Sequence, residues 1–215
     1  MVKVGWIDVE CTGLDPKLND IIQLSVLIEK DGLVVDSKNI TMQPRRWDTI
    51  EKEALEVVGV TIDDIKKYQK PQDAFNELKA FLSKHIDKYD KRDKLFPAGY
   101  NVRFDIDFLN QFFIKSGDKY FGSFFNWRFL DVMQRVYYLL YLEVIGAIPE
   151  NKYRLGTLDN LKLETLCDAY GIKIQAHDAM SDVTATRELF CKLTEDDVSN
   201  ILPTAVDDTD QPKLF

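Results

Sequence analysis

The chain has 215 residues, enough for one sizeable core or two small ones. It is 45% hydrophobic and 30% charged, an ordinary balance for a soluble globular domain, and its three cysteines (Cys11, Cys167, Cys191) lack the paired spacing of a disulfide framework or zinc knot. The net charge of −8 argues against a broad basic nucleic-acid face, although acids that hold divalent cations enter the same sum.

Val2 to Val9 reads as a buried strand, rich in β-branched and aromatic residues. Cys11 to Asn19 reads as a loop with Thr-Gly and Asp-Pro breakers. Ile21 to Glu29 is a second strand, Lys30-Asp31-Gly32 a hairpin turn, and Leu33 to Met42 a third strand, so the chain opens as an antiparallel meander. A short helix is expected over Glu51 to Val57. Another begins at Thr61, which can cap it, with Asp64 three residues on. Residues 74 to 86 place Phe75, Leu78, Phe81, Leu82 and Ile86 on one helical face, and His85 reads as a surface or boundary residue.

LFPAGY is a fourth strand, and Asn101 to Phe113 a helix. The aromatic stretch SGDKYFGSFFNW reads as loop, either a lid or core packing, with Phe121, Phe124 and Phe125 able to stack on bases if exposed. WRFLDV is a short fifth strand. RVYYLLYLEVIGAIP, interrupted by Glu143, is too short to span a bilayer and reads as a buried helix. A helix ends at Gly171, and Asp178 to Leu193 forms the last long one. Strands first, then alternating helix and strand, give one α/β domain with a mixed sheet over residues 1–199, followed by a flexible acidic tail over 200–215. The chain start lacks the basic and apolar regions of a secretory signal, so a cytoplasmic location is expected.

Two acids interrupt the first strand. Asp8 and Glu10 are two residues apart, so they share a face, and burying them there is costly unless they are paired or bound to a metal. Asn101 and Asp105 are four apart at the start of a helix that follows a strand. His177 stands just before the last helix, and Asp182 lies in its first turns, facing the sheet. Four carboxylates offer hard oxygens that suit Mg²⁺ or Mn²⁺ rather than zinc, and together they could hold two ions. A histidine beside them can accept the proton of an attacking water near neutral pH.

These residues resemble the motifs of the DEDD superfamily of 3′→5′ exonucleases, in its histidine-containing DEDDh branch. That group includes the proofreading subunit of bacterial DNA polymerase III, RNase T and oligoribonuclease. D-x-E-x-T-G is met at Asp8, Glu10, Thr12 and Gly13; N-x-x-F-D-x-x-F-L at Asn101, Phe104, Asp105, Phe108 and Leu109; H-x-x-x-x-D at His177 and Asp182. The likeness runs over about residues 3 to 195. It implies an RNase H-like α/β fold, a mixed five-stranded sheet flanked by helices. It further implies that Asp8, Glu10, Asp105 and Asp182 bind two Mg²⁺ or Mn²⁺ ions and that His177 is the general base. Cys11, Thr12, Gly13 and Leu14 would meet the 3′-terminal nucleotide, with Asn101 and Phe104 supporting the substrate side. Water would attack the last phosphodiester and release a nucleoside 5′-monophosphate. Cys11, Gln23 and Tyr100 depart from common family residues, but none is one of the five catalytic positions.

The opening motif is closer to oligoribonuclease and the middle of the chain to the proofreading branch. That mixture does not choose between DNA and RNA; the far end of the chain favours single-stranded or frayed DNA as the expected substrate, with RNA as the alternative and a non-catalytic binding module as a third reading. The last five residues, QPKLF, resemble the short peptide by which replication and repair proteins bind the sliding clamp, through Gln211, Leu214 and Phe215. A clamp, a polymerase partner or a second copy of the chain are thus the candidate protein partners.

Overall fold

The computed structural model describes residues 2–149 and 152–201, with side chains described as far as residue 194. A five-stranded sheet in the order β3-β2-β1-β4-β5 forms its centre. The strands are β1 (Lys3–Cys11), β2 (Ile21–Lys30), β3 (Leu33–Thr41), β4 (Phe96–Gly99) and β5 (Leu130–Asp131). β1, β2 and β3 form the antiparallel meander, while β4 and β5 run parallel to β1. This is the mixed RNase H-like α/β sheet that the sequence implied. Asp31 and Gly32 turn the β2–β3 hairpin with φ of 49° and 85°, the left-handed pair that a two-residue loop requires.

Seven helices flank the sheet among the described residues: α1 (Lys52–Val58), α2 (Ile62–Ile65), α3 (Pro71–Leu82), α4 (Val102–Lys115), α5 (Val132–Val144), α6 (Leu163–Ala169) and α7 (Ala179–Ile201). Alternation along β1 sorts them into two layers. Ile7, Val9 and Cys11 face α3 and α4, meeting Phe75, Leu78, Phe108, Leu109 and Phe112. Trp6 points the other way and packs with Val132, Val136, Leu166, Val183 and Leu189 of α5, α6 and α7. The central strand is thus buried on both faces, as its apolar sequence requires.

Several elements differ from expectation. β1 runs two residues further than read, because Glu10 and Cys11 still pair with β2 across a bulge between them. The Thr61–Asp64 capping box forms, but its helix α2 lasts only four residues. α7 continues to Ile201, since nothing from 194 to 201 breaks a helix and the next proline is Pro203. α5 is not buried all round: Val132, Val136, Leu139 and Glu143 face inward, while Tyr137, Tyr138, Tyr141 and Val144 are exposed. Of its two readings His85 takes the boundary one, with its side chain 9% exposed and Nε2 3.0 Å from Asp36. The phenylalanines of the aromatic stretch follow the core reading, while its Tyr120 and Trp127 are exposed. Phe124 and Phe125 are buried, and Phe121 stacks on Phe125 with ring centres 4.9 Å apart.

Two contacts fix the end of the sheet where the acids lie. A Cβ on Gly99 would meet the Ile7 carbonyl at 2.8 Å, so only glycine lets β4 close on β1 there. Asp131, at the end of β5, accepts from Met133 N–H at 3.0 Å as the N-cap of α5 and from Asn101 N–H at 3.0 Å. Asn101 itself is held in the left-handed region at φ 59°. Replacing Asp131 by Ala removes both acceptors, and loss of the cap should cost about 1–2 kcal/mol. In a domain of this size each kcal/mol lowers Tm by about 2–4 °C, so thermal unfolding of Asp131→Ala should show a drop of several degrees.

Candidate metal centre and exonuclease family

The parallel strands β1, β4 and β5 end at the same edge, and the acids collect there. Such an edge is where open α/β sheets place ligands. Asp8 and Glu10 follow Trp6 on the β1 face that meets α7. Glu10 is 9% exposed, and Asp8 is half-buried among other carboxylates. β4 stops at Gly99 while β1 continues, so the Val9 N–H has no β4 carbonyl opposite it. Asp105, one turn into α4 and 4% exposed, accepts that N–H at 3.0 Å. This bond explains why a carboxylate on a helix that packs against β1 turns back toward the strand rather than out to water.

Asp182 arrives from the first turn of α7. Its Oδ2 accepts from the His177 backbone N–H at 3.2 Å, whereas its buried Oδ1 has no partner. His177 adopts φ 63°, which turns the chain sharply before α7. One ligand atom from each of Glu10, His177 and Asp182 can be chosen so that all three lie within 4.8 Å of one another. The imidazole Nε2 also lies 3.6 Å from Glu164 of α6.

The electrostatics are those of a cluster short of positive charge. Burial, then Asp105, Glu10, Asp182 and Asp178, raise the Asp8 carboxyl well above its ordinary value. Burial is also the main cause for Asp105, raising it against the pull of the Val9 hydrogen bond. Glu10 is raised to about 7 by burial, Asp182 and Asp178. Asp182 is raised to about 6, chiefly by burial and against the opposing effect of His177. A divalent cation would reverse this local logic. The unpartnered Asp182 Oδ1 and the oxygen-rich donor set fit a hard cation.

The other expected site residues fall around this centre. Cys11 is buried at the end of β1. Thr12 is fully buried, its hydroxyl accepting the Asp20 N–H at 2.9 Å, so its side chain shapes the loop. A Cβ on Gly13 would collide with the side chains of Asn19 and Glu51. Leu14 projects outward at 77% exposure. Asn101 is exposed and caps α4 from outside the helix, so it does not share a helical face with Asp105. Phe104 is half-buried against Phe108, with ring centres 4.7 Å apart. Gln211, Leu214 and Phe215 lie outside the described residues.

Sequence reasoning passed over Asp178. It caps α7 by accepting the Ser181 N–H at 2.9 Å, and it is a fourth carboxylate, after Asp105, Glu10 and Asp182, in the field acting on Asp8. The Asp-x-x-Ser pattern was a legible cap signal. Glu164 had no such signal, because only the packing of α6 brings it to His177.

A family model described as exonuclease, of the RNase T group, matches residues 6–190, and the chain belongs to that family. Among curated proteins it is 28% identical over 190 residues to a PolC-type DNA polymerase III of Halalkalibacterium halodurans, a match that covers 88% of this chain and 11% of that one. The PolC-type polymerase of Bacillus subtilis is 24% identical over 195 residues, with the same coverage. The chain thus spans about a tenth of these relatives. Among solved structures, E. coli exonuclease I in complex with a dT13 oligonucleotide superposes with a TM-score of 0.71 at 21% identity, covering 93% of this chain and 43% of that one. An exonuclease I/SSB-Ct complex gives a TM-score of 0.69 at 21% identity, covering 91% and 41%.

The raised carboxyls predict an inverted pH dependence of stability. A folded-state acid at about 7 binds its proton more tightly than the unfolded chain does, so its penalty is absent at low pH and grows as pH rises. For Glu10 the gap between 4.5 and about 7 corresponds to ~3 kcal/mol above pH 7. In EDTA, Glu10→Gln should therefore melt higher than the native protein at pH 8 and no higher at pH 4. Mg²⁺ or Mn²⁺ should raise the native Tm at pH 8 and lose that effect as the carboxyls protonate. Thermal shift measurements across pH, with and without metal, check both.

Proposed function

We propose that this chain is a metal-dependent 3′→5′ exonuclease that removes nucleoside 5′-monophosphates from the 3′ end of single-stranded or frayed DNA. The observation that carries the reading is the convergence of Asp8, Glu10, Asp105 and Asp182 with His177 on one sheet edge. Beside them lies an open cleft of about 680 Å³, lined by Asn101, Tyr137, Glu164 and His177 among others. The Tyr100 hydroxyl donates to the Leu161 carbonyl and so ties two of the cleft's walls together.

The four carboxylates would hold two Mg²⁺ or Mn²⁺ ions, which when bound lower the pKa of water and offset charge on the phosphoryl oxygens. His177 supplies the proton acceptor. Its side chain is 42% exposed, so the imidazole can take a proton from the attacking water and pass it to solvent. The water oxygen bonds to phosphorus, and the bond from phosphorus to the preceding 3′-oxygen breaks. One nucleoside 5′-monophosphate leaves, and the shortened strand gains a new 3′-hydroxyl. Leu14 and the Thr12–Gly13 backbone stand beside Glu10 to receive the terminal nucleotide. DNA is favoured over RNA because the chain resembles DNA polymerase III segments and a structure that holds dT13.

Labelled single-stranded DNA and RNA of equal sequence, presented side by side with Mg²⁺ or Mn²⁺, test the substrate. Release of deoxynucleoside monophosphates from the 3′ end is expected, and preferential release of ribonucleotides would assign the RNA alternative instead. Asp8→Ala should abolish metal-dependent cleavage with the fold intact by circular dichroism, and His177→Ala should lower kcat by about 10²–10⁴. Undiminished turnover in Asp8→Ala would refute the assigned centre.

The same reading takes the terminal QPKLF as a sliding-clamp peptide and the chain as part of replication or repair. Deleting residues 211–215 should abolish clamp binding in a pull-down and leave cleavage of a short oligonucleotide unchanged.

A further inference from the structure

A second set of side chains lies at the opposite end of β4 and β5. Tyr89, Tyr120 and Trp127 expose 84%, 61% and 81% of their surfaces. Each carries a cation over its ring: Lys88 at 5.1 Å, Lys119 at 5.8 Å and Arg128 at 5.0 Å. Among the described residues, none of these three cations has an ion-pair partner within 4 Å. The nearby acids are already engaged. Asp118 is held by Lys79 at 2.6 Å and Asp93 by Lys3 at 2.6 Å, while Asp87 and Asp90 accept N–H groups of their own loop.

The loops that carry the rings are held by the fold. Tyr89 and Tyr120 line a pocket of about 330 Å³ that also includes the buried Phe124. Lys94 donates to the carbonyls of Ser123 and Lys88, binding the two loops that form its walls. From that pocket the chain runs through Asn126, whose N–H donates to the Leu95 carbonyl at 2.8 Å, and past Trp127 into β5. β5 ends at Asp131, which holds the backbone of Asn101 in the catalytic cleft. From Phe124 to Asp131 is at most about 25 Å of extended chain.

We propose that this edge is a stacking track for single-stranded nucleic acid, taking the part of the strand upstream of the 3′ end, with bases on Trp127 and Tyr120 and phosphates on Arg128, Lys119 and Lys88. It rests on the nuclease reading above and extends it. Exposed rings can stack on any base, and the adjacent cations match the backbone charge. In a chain with a net charge of −8, these cations give a local attraction that the whole molecule does not.

The test uses the full chain in EDTA with labelled oligo-dT of about 15 nucleotides, a length that reaches beyond the cleft. Trp127→Ala and Tyr120→Ala should each weaken binding by about five-fold or more, whereas Trp127→Phe should retain most of it. Native Trp127 fluorescence should be quenched on binding. With metal restored, a dinucleotide, too short to reach the track, should be cleaved at the native rate by both alanine variants. Both rings are exposed, so unchanged Tm checks that the variants fold. Native-like affinity of both variants for the long oligomer overturns the track while leaving the nuclease reading in place. So does a native chain that binds no long oligomer. A change in sedimentation without a change in oligomer affinity also overturns it, and would mark the edge as a contact between copies. A native chain that cleaves no strand, yet loses oligomer binding on Trp127→Ala, sinks the nuclease reading and upholds the track.

Discussion

The mutual repulsion of carboxylates gathered in a poorly hydrated corner is the constraint on which this structure depends. Burial is the largest part of the cost of ionising Asp8, Glu10 and Asp105, and the neighbouring carboxylates add to it. A fold can hold such a group only if its framework is rigid and its backbone bonds are satisfied. The framework here is β1, buried on both faces by two layers of helices. About one and a half turns beyond Asp182, α7 is secured by Arg187, which donates to Glu29 of β2 at 2.6 Å and to the Gly32 carbonyl at 2.9 Å. The helix that brings Asp182 into the cluster is thus anchored at the hairpin on the other side of the sheet.

α4 carries two duties. Near its start Asp105 takes the Val9 N–H. At its end Lys115 donates to Asp20 at 2.9 Å and to the Asn19 carbonyl. The Asp20 carboxylate also accepts the N–H groups of Arg45 and Arg46, and its carbonyl accepts the Thr12 N–H. One helix therefore sets both an acid of the centre and the loop that carries Gly13 and Leu14. Sites borne on rigid elements keep their geometry better than sites borne on free loops.

Much of the fold was legible because its signals are local. The five strands, the hairpin at Asp31-Gly32 and the Thr61–Asp64 cap follow from apolar runs and turn residues, and all are present. The errors have physical causes. The reading of α5 as buried took composition for burial, but a helix needs only one apolar face, and Tyr137, Tyr138 and Tyr141 lie on the other. For His85 the spacing leaves surface and boundary open, because it cannot show that β3 brings Asp36 to it. The aromatic segment before β5 was ambiguous for the same reason. The difference between a lid and a core there is decided by whether Phe113 of α4 lies beneath it, which it does. Asn101 and Asp105 were assigned one helical face from spacing alone, but Asn101 turned left-handed and left the helix.

By itself the sequence determined the residue types of the centre, because hard oxygen donors and a lone histidine before a helix are chemical facts that no folding changes. It also determined the strand alternation that puts Asp8 and Glu10 on one face, because period two is a property of the backbone. Only the tertiary structure decided that β4 stops short and leaves Val9 N–H for Asp105, that Asp182 Oδ1 is buried without a partner, and that Asp178 and Glu164 join the field. These depend on which distant segments pack together. The energy of a charge among other charges is set by distance in space, which spacing along the chain does not encode.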